Sequence, residues 1–167
     1  MAPKLVLIGP MGAGKSTVGK AVAAELSWDF ADTDTLIELD QGKSISEIFI
    51  EDGESHFRLV EESIVIDALR ECNGVLALGG GAVTSSATAK TLSESSALKV
   101  FLDISLTAVA PRVGFDTARP LLMVNPRQKW SELMVARRPI YEELSDMQIE
   151  VSELQLPEIT SRIIEAL

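Results

Sequence analysis

The sequence predicts a three-layer α/β fold, in which helices flank a central sheet of about five parallel strands. Short apolar runs alternate along the chain with segments whose apolar residues recur at helical spacing. The first apolar run, residues 5–8, leads directly into a glycine-rich loop. With 167 residues and 46% apolar content, the chain has enough core material for one domain, residues 1–167, and little room for a second.

Each predicted element follows from its local pattern. Apolar runs bounded by glycine, proline or aspartate predict strands at residues 5–8, 28–32, 75–78, 98–102 and 147–151. Helical spacing predicts helices behind the first loop, from about residue 36, over residues 45–50, 54–72, 85–94, 106–112 and 127–144, and from residue 157. We expect Pro139 to interrupt the helix over 127–144, because proline lacks the amide hydrogen of an internal turn.

The composition restricts the classes of partner. The chain carries 15 Lys and Arg against 25 Asp and Glu, a formal charge of -10, which argues against binding to nucleic acid or to anionic membranes. Its single cysteine, Cys72, excludes an internal disulfide framework. No leader or membrane-spanning run is apparent, and no apolar stripe is left over for an interface. We therefore expect a cytoplasmic monomer that acts on small molecules.

Residues 9–16 read G-P-M-G-A-G-K-S, a complete phosphate-binding loop between a strand and a helix. Backbone amides of such a loop and the start of its helix point at phosphate oxygens. We expect Lys15 to reach the β- and γ-phosphates and Ser16 to bind Mg²⁺, with Thr17 as a neighbour that can share this role. The predicted nucleotide contacts in the loop are Gly12, Ala13, Gly14, Lys15, Ser16 and Thr17.

Two aspartates follow the second strand, where ligands bind in parallel sheets. Asp32 is expected to hold a water of the Mg²⁺ shell, and Asp34 to orient or deprotonate an acceptor hydroxyl. Capping of the helix that begins near Leu36 is the alternative, and it can coexist with function. A third aspartate, Asp103, also ends an apolar strand, but we expect it to cap the helix near Leu106 rather than to serve the metal.

Further polar groups follow along the chain. Arg58 and Glu61 lie three residues apart on one helix and can pair, either to aim the guanidinium or as an ordinary surface pair. Three successive glycines, Gly79, Gly80 and Gly81, follow the third strand and allow backbone amides to approach a ligand, although a plain flexible turn would also use glycine.

The stretch over residues 112–126 predicts a long loop that closes as a lid. Arg119 within it can contact the transferring phosphate, and Arg112 at its entrance can stack on adenine. Arg137 and Arg138 on the next helix offer a further guanidinium for an anionic substrate. Each arginine taken alone could equally be a solvated charge.

Five motifs in this order closely resemble the shikimate kinase family over nearly the whole chain. They are G-P-M-G-A-G-K-S at 9–16, D-T-D at 32–34, F-R-x-x-E at 57–61, G-G-G-A at 79–82 and R-P-L-L at 119–122. The resemblance implies a P-loop kinase fold with a closing lid, and transfer of the γ-phosphoryl group of ATP to the 3-hydroxyl of shikimate. This reaction is a step towards chorismate and the aromatic amino acids.

The resemblance also implies roles for individual residues. Asp34 would contact the hydroxyl and serve as base, Arg58 and Arg137 would hold the shikimate carboxylate, and residues 79–81 would form a wall beside the ring. Residues 33–61 would form the substrate-binding segment, whereas Arg119 would contact transferring phosphate. Asp32 and Ser16 would serve Mg²⁺. The sequence departs from the family at residues 152–157, S-E-L-Q-L-P, so adenine contacts there rest on backbone groups near Gln155.

Other functions remain open at this point. Another small-metabolite kinase of this fold, for gluconate or a nucleoside monophosphate, would share the phosphate loop but not the set formed by Arg58, the three glycines and Arg137. A GTPase switch would need an N-K-x-D sequence, which the chain lacks. Intact Lys15, Asp34 and Arg119 argue against a noncatalytic nucleotide-binding regulator.

Overall fold

The computed structural model describes residues 2–113 and 125–167. Five parallel strands form one sheet in the order β2-β3-β1-β4-β5, as predicted. The strands are β1 Pro3–Ile8, β2 Phe30–Asp32, β3 Gly74–Ala77, β4 Leu98–Asp103 and β5 Met147–Glu150. The helices in the described ranges are α1 Lys15–Leu26, α2 Thr33–Gln41, α3 Ile45–Glu51, α4 Glu54–Glu71, α5 Ser86–Glu94, α6 Leu106–Val113, α7 Pro126–Leu144 and α8 Leu156–Ala166.

The strand order brings two loops together at the carboxyl ends of two neighbouring strands. The chain leaves β1 towards β2 on one side, but it leaves β3 towards β4 on the other. Because β1 and β3 are neighbours, this reversal opens a crevice beyond their carboxyl ends. The phosphate loop follows β1 and the three glycines follow β3, so both border this crevice.

The core explains the apolar runs of the sequence. The central strands are buried almost throughout, with Leu7, Leu76 and Phe101 among the fully buried side chains. Such continuous apolar strands are typical of parallel sheets covered on both faces. A second, smaller cluster of Ile37, Ile48 and Phe57 joins α2, α3 and α4. This cluster supports the segment over residues 33–61, on which Asp34 and Arg58 lie.

Several predicted boundaries were wrong. The second strand begins at Phe30, and α2 begins at Thr33 rather than near Leu36, because Asp32 caps this helix. Pro139 does not interrupt α7. Because Pro139 has no amide hydrogen, the Val135 carbonyl loses its helical hydrogen bond. Both residues lie on the exposed face of α7, where water can bond to that carbonyl.

None of the helices in the described part of the chain is long and apolar enough to span a bilayer.

Candidate active site

The phosphate loop connects β1 to the first turn of α1. Gly14 is the N-cap of α1 with φ 93°, a left-handed conformation that disfavours side chains with a Cβ atom. The Lys15 ammonium donates to the carbonyls of Gly9 at 2.8 Å and Pro10 at 2.9 Å, so it lies across the loop. The backbone amides at the start of α1 and this ammonium together provide local positive charge in an acidic protein.

A cavity of about 580 Å³ opens in front of this loop. It brings together most of the predicted nucleotide and metal residues. Its lining includes Gly12, Ala13, Gly14, Lys15, Ser16, Thr17, Asp32, Asp34, Gly79, Gly80, Arg112 and Gln155. Arg58, Gly81 and Arg137 are not part of this lining.

Asp32 connects the phosphate loop to α2. Its Oδ2 accepts a hydrogen bond from the Ser16 hydroxyl, and Oδ1 accepts from the Asp34 amide at 2.9 Å. The second bond makes Asp32 the N-cap of α2, so capping and contact with the phosphate loop coexist. Asp34 therefore lies in the first turn of α2, with its side chain at the cavity.

The residues predicted to bind the substrate lie around the turn after β3. A Cβ atom at Gly79 would lie 2.7 Å from Oδ1 of Asp34, and one at Gly81 would clash with the Arg58 guanidinium. A Cβ atom at Gly80 would lie 3.6 Å from Nη1 of Arg137. The absence of side chains at Gly79 and Gly81 thus lets the Asp34 carboxylate and the Arg58 guanidinium lie against one turn, which a merely flexible connection would not require, while Arg137 lies at ordinary contact distance beside Gly80.

The Arg58–Glu61 pair is not an ordinary surface pair. Nη1 of Arg58 donates to Glu61 at 2.7 Å, and the Glu61 side chain is only 5% exposed. Burial raises the pKa of Glu61, although the nearby charge of Arg58 opposes this effect. Oε2 of Glu61 also lies close to Gly79, where an added Cβ atom would be 3.2 Å away. The pair therefore aims the Arg58 guanidinium at the glycine turn.

The two successive arginines of α7 have different environments. Arg137 is buried near the glycine turn, beside Gly80. Arg138 instead forms a bidentate ion pair with Asp103, at 2.7 and 2.8 Å, and is not available as a second anion-binding group. The expectation that Asp103 caps α6 was wrong, because the Ser105 hydroxyl accepts from the Ala108 amide in its place.

The two predicted adenine contacts lie at the same cavity. Arg112, at the end of α6, and Gln155 both line it. The Gln155 backbone amide donates to the Glu158 side chain at 3.0 Å, at the start of α8. Arg119 and most of the predicted lid at 112–126 lie outside the described residues.

Three polar side chains that sequence reasoning missed hold this site together. The buried Thr33 hydroxyl accepts from the Gly79 amide at 3.0 Å, the Trp130 indole donates to the Met11 carbonyl at 3.0 Å, and the Tyr141 hydroxyl donates to the Gly80 carbonyl at 2.5 Å. Residues 130, 134, 137 and 141 follow helical spacing. This spacing could have placed both aromatic residues on the face of α7 that carries Arg137.

A P-loop at the switch point of a parallel sheet, facing a carboxylate and two guanidiniums, defines a P-loop kinase with an anionic small-molecule acceptor. The family model for shikimate kinase matches residues 11–167. The chain is 43% identical to the shikimate kinase of Streptomyces coelicolor over 99% of its length and 95% of that protein, and 45% identical to that of Thermobifida fusca over 97% and 92%.

The structural comparison agrees. The shikimate kinase of Acinetobacter baumannii, solved in complex with shikimate, superposes with a TM-score of 0.93 at 34% identity and covers 99% of this chain and 92% of that one. The chain belongs to the shikimate kinase family, and it is an ATP-dependent phosphotransferase with the P-loop kinase fold.

Proposed function

We propose that this protein transfers the γ-phosphoryl group of ATP to the 3-hydroxyl of shikimate, giving shikimate 3-phosphate and ADP. The reaction is a step towards chorismate and the aromatic amino acids. The observation that carries the proposal is the turn at residues 79–81, where the Asp34 carboxylate and the guanidiniums of Arg58 and Arg137 lie beside the phosphate-loop cavity. A carboxylate that can accept a hydrogen bond from a hydroxyl, next to two guanidinium cations, suits a substrate that carries hydroxyl groups and one carboxylate.

The acceptor side orients the nucleophile. Arg58 and Arg137 bind the substrate carboxylate through forked N–H groups, and the backbone of residues 79–81 lies along the ring. Asp34 accepts the proton of the shikimate 3-hydroxyl. As this proton leaves, the hydroxyl oxygen bonds to the γ-phosphorus and the bond between that phosphorus and ADP breaks. Oδ1 of Asp34 lies beside Gly79 at the cavity, where a Cβ atom added to that glycine would be 2.7 Å away.

The donor side stabilises the phosphates. Loop amides at Gly12, Ala13 and Gly14 and the start of α1 bind phosphate oxygens, and the Lys15 ammonium moves from the loop carbonyls to the β- and γ-phosphates. Ser16 and Asp32 supply adjacent oxygen donors of the type that Mg²⁺ prefers, with Thr17 beside them. When bound there, Mg²⁺ neutralises charge that develops on the phosphates.

The remaining site residues complete nucleotide binding. Arg112 stacks on adenine, and backbone groups near Gln155 contact its edge; both residues line the cavity. Arg119, on the lid, contacts the transferring phosphate and helps to exclude water. We further propose that the protein acts as a cytoplasmic monomer of one domain, residues 1–167, on shikimate and ATP alone, without nucleic-acid or membrane partners.

A coupled assay of ADP release tests the proposal. The purified protein with Mg²⁺ and ATP is expected to turn over shikimate, and to release ADP no faster than the substrate-free rate when given gluconate or a nucleoside monophosphate. Formation of shikimate 3-phosphate is checked by mass spectrometry. Turnover of gluconate or of a nucleotide without turnover of shikimate would refute the assignment.

A further inference from the structure

Tyr141 is the single tyrosine of the chain, and its side chain is fully buried on α7. It follows Arg137 by one helical turn, so the two side chains lie on the same face. Its hydroxyl donates to the Gly80 carbonyl at 2.5 Å, and Nη1 of Arg137 lies beside the same glycine, where an added Cβ atom would be 3.6 Å away. Its ring packs against Phe101 of β4 with 5.0 Å between ring centroids. Tyr141 thus contacts the glycine turn and the sheet, beside the buried arginine.

We propose that Tyr141 is a positioning residue for carboxylate recognition: its hydroxyl fixes the Arg137 guanidinium and the Gly80 peptide in the relative arrangement that binds the substrate carboxylate. This inference rests on the proposed function, which names that carboxylate as shikimate's.

A phenol hydroxyl matches both partners at once. It has one hydrogen to donate and lone pairs to accept with, whereas a guanidinium only donates and a carbonyl only accepts. Tyr141 can therefore donate to Gly80 while it accepts from Arg137. Since the peptide between Gly80 and Gly81 is planar, fixing the carbonyl also fixes the direction of the Gly81 amide. Hydrogen bonds linked in this way strengthen one another in a buried site.

Burial also keeps the hydroxyl protonated. Removal from water raises the pKa of Tyr141 to about 12, although the positive charge of Arg137 acts in the opposite direction. The hydroxyl hydrogen is therefore present at every pH at which the protein would work. Phenylalanine would fill the same space and keep the contact with Phe101, but it would remove the hydrogen bond to the Gly80 carbonyl and the hydroxyl beside Arg137.

The first experiment compares Tyr141→Phe with the unchanged protein on two acceptors, shikimate and its methyl ester. The ester keeps all the ring hydroxyls but lacks the carboxylate charge. Turnover of shikimate by the unchanged protein tests the proposed function independently. Specificity is measured as kcat/KM, or as Kd by calorimetry where the ester reacts too slowly.

We expect Tyr141→Phe to raise KM for shikimate by about 10-fold, the cost of a buried hydrogen bond, and to change kcat and KM for ATP by about twofold or less. Tyr141→Phe should lower kcat/KM for the methyl ester much less than kcat/KM for shikimate, since the ester cannot use the arrangement that Tyr141 supports. Equal losses for both acceptors, or an unchanged KM for shikimate in a folded variant, would overturn the proposal.

Thr91→Val is the matched control. The Thr91 hydroxyl also donates to a backbone carbonyl, that of Ala87 at 2.9 Å, but within α5. Its loss should leave both acceptors unaffected. A change in Thr91→Val as large as that in Tyr141→Phe would assign the effect to general loss of stability.

A second measurement leaves the fold unchanged. Because the chain has one tyrosine, growth on 3-fluorotyrosine labels position 141 alone. The fluorine NMR signal is expected to shift when shikimate saturates the protein, and to shift much less with the methyl ester. An unmoved signal under saturating shikimate would overturn the proposal even if Tyr141→Phe failed to fold.

Discussion

Arg138 on α7 and Asp103 at the end of β4 form a bidentate ion pair, with N–O distances of 2.7 and 2.8 Å. The pair attaches α7 to the sheet, and Arg138 also lies over the ring of Phe101 at 5.8 Å. The preceding residue, Arg137, is instead buried beside Gly80 of the glycine turn. One arginine thus fixes the helix while its neighbour lies against the glycine turn.

This difference predicts opposite outcomes for two identical substitutions. Arg137→Lys is expected to raise KM for shikimate by about 10-fold or more, because a point charge cannot replace a forked donor in a buried site. Arg138→Lys should leave that KM within about twofold and lower the free energy of unfolding by about 1 kcal/mol or less, since the pair is partly exposed. Steady-state kinetics and urea unfolding of both variants measure these effects. A larger KM effect at Arg138 than at Arg137 would reverse the assignment.

Asp34→Asn separates chemistry from nucleotide binding. The amide cannot take the proton of the acceptor hydroxyl, so we expect kcat to fall by about 100-fold or more. ATP affinity, measured by calorimetry, should remain within about twofold, because the side chain faces the acceptor in the proposed mechanism. Retained turnover with lost ATP affinity would move Asp34 to the metal side.

Asp32 has two contacts that different substitutions can separate. Asparagine caps helices as well as aspartate does, so Asp32→Asn should keep the stability of α2 within about 0.5 kcal/mol. It loses the carboxylate charge, however, and the Mg²⁺ concentration for half-maximal activity should rise by about 10-fold. Asp32→Ala loses the cap as well and should unfold about 1 kcal/mol more easily. An unchanged Mg²⁺ requirement in Asp32→Asn would remove this residue from the metal site.

Trp130 positions the phosphate loop from α7. Its indole donates to the Met11 carbonyl at 3.0 Å, and the planar peptide then sets the direction of the Gly12 amide. Trp130→Phe is expected to raise KM for ATP by about fivefold, the value of one hydrogen bond, and to leave KM for shikimate nearly unchanged. Trp28→Phe, at the contact with Lys4, serves as the control and should change neither value. Equal effects of the two substitutions would contradict the assignment.

The buried Glu61 predicts a pH dependence of stability. Burial raises its pKa above the ordinary 4.5, with Asp34 adding to the rise while Arg58 and Arg137 oppose it. The native state therefore holds this proton to higher pH than the unfolded chain does. Between the ordinary and the raised pKa, the contribution of Glu61 to stability must fall as the pH rises.

Glu61→Gln cannot titrate at this position. As the pH rises above about 4.5, the ordinary pKa of this carboxyl, the unchanged protein should become less stable relative to Glu61→Gln. Urea unfolding at a series of pH values measures this difference in stability. A difference that is constant with pH, or one that shifts the other way, would contradict the raised pKa.

Local patterns were sufficient for the elements and for part of the site. The phosphate loop, the five strands and most helices were predictable, because each follows from spacing and turn residues within a short window. The start of α2 and the continuity of α7 were not. Asp32 extends α2 to Thr33 by capping, and the exposed face of α7 accommodates Pro139. Both outcomes depend on surroundings that no short window contains.

The sequence by itself determined that a strand, a phosphate loop and a helix come in the order that binds a nucleotide, and that acidic and basic residues follow the later strands. Tertiary structure alone decided which of those residues meet. It buried Glu61 beside Arg58, and it gave the adjacent residues Arg137 and Arg138 different surroundings. It also brought Tyr141 to Gly80, 61 residues away in the chain. Parallel strands that reverse their order at β1 and β3 bring distant loops to one edge, and this juxtaposition cannot be read from local spacing.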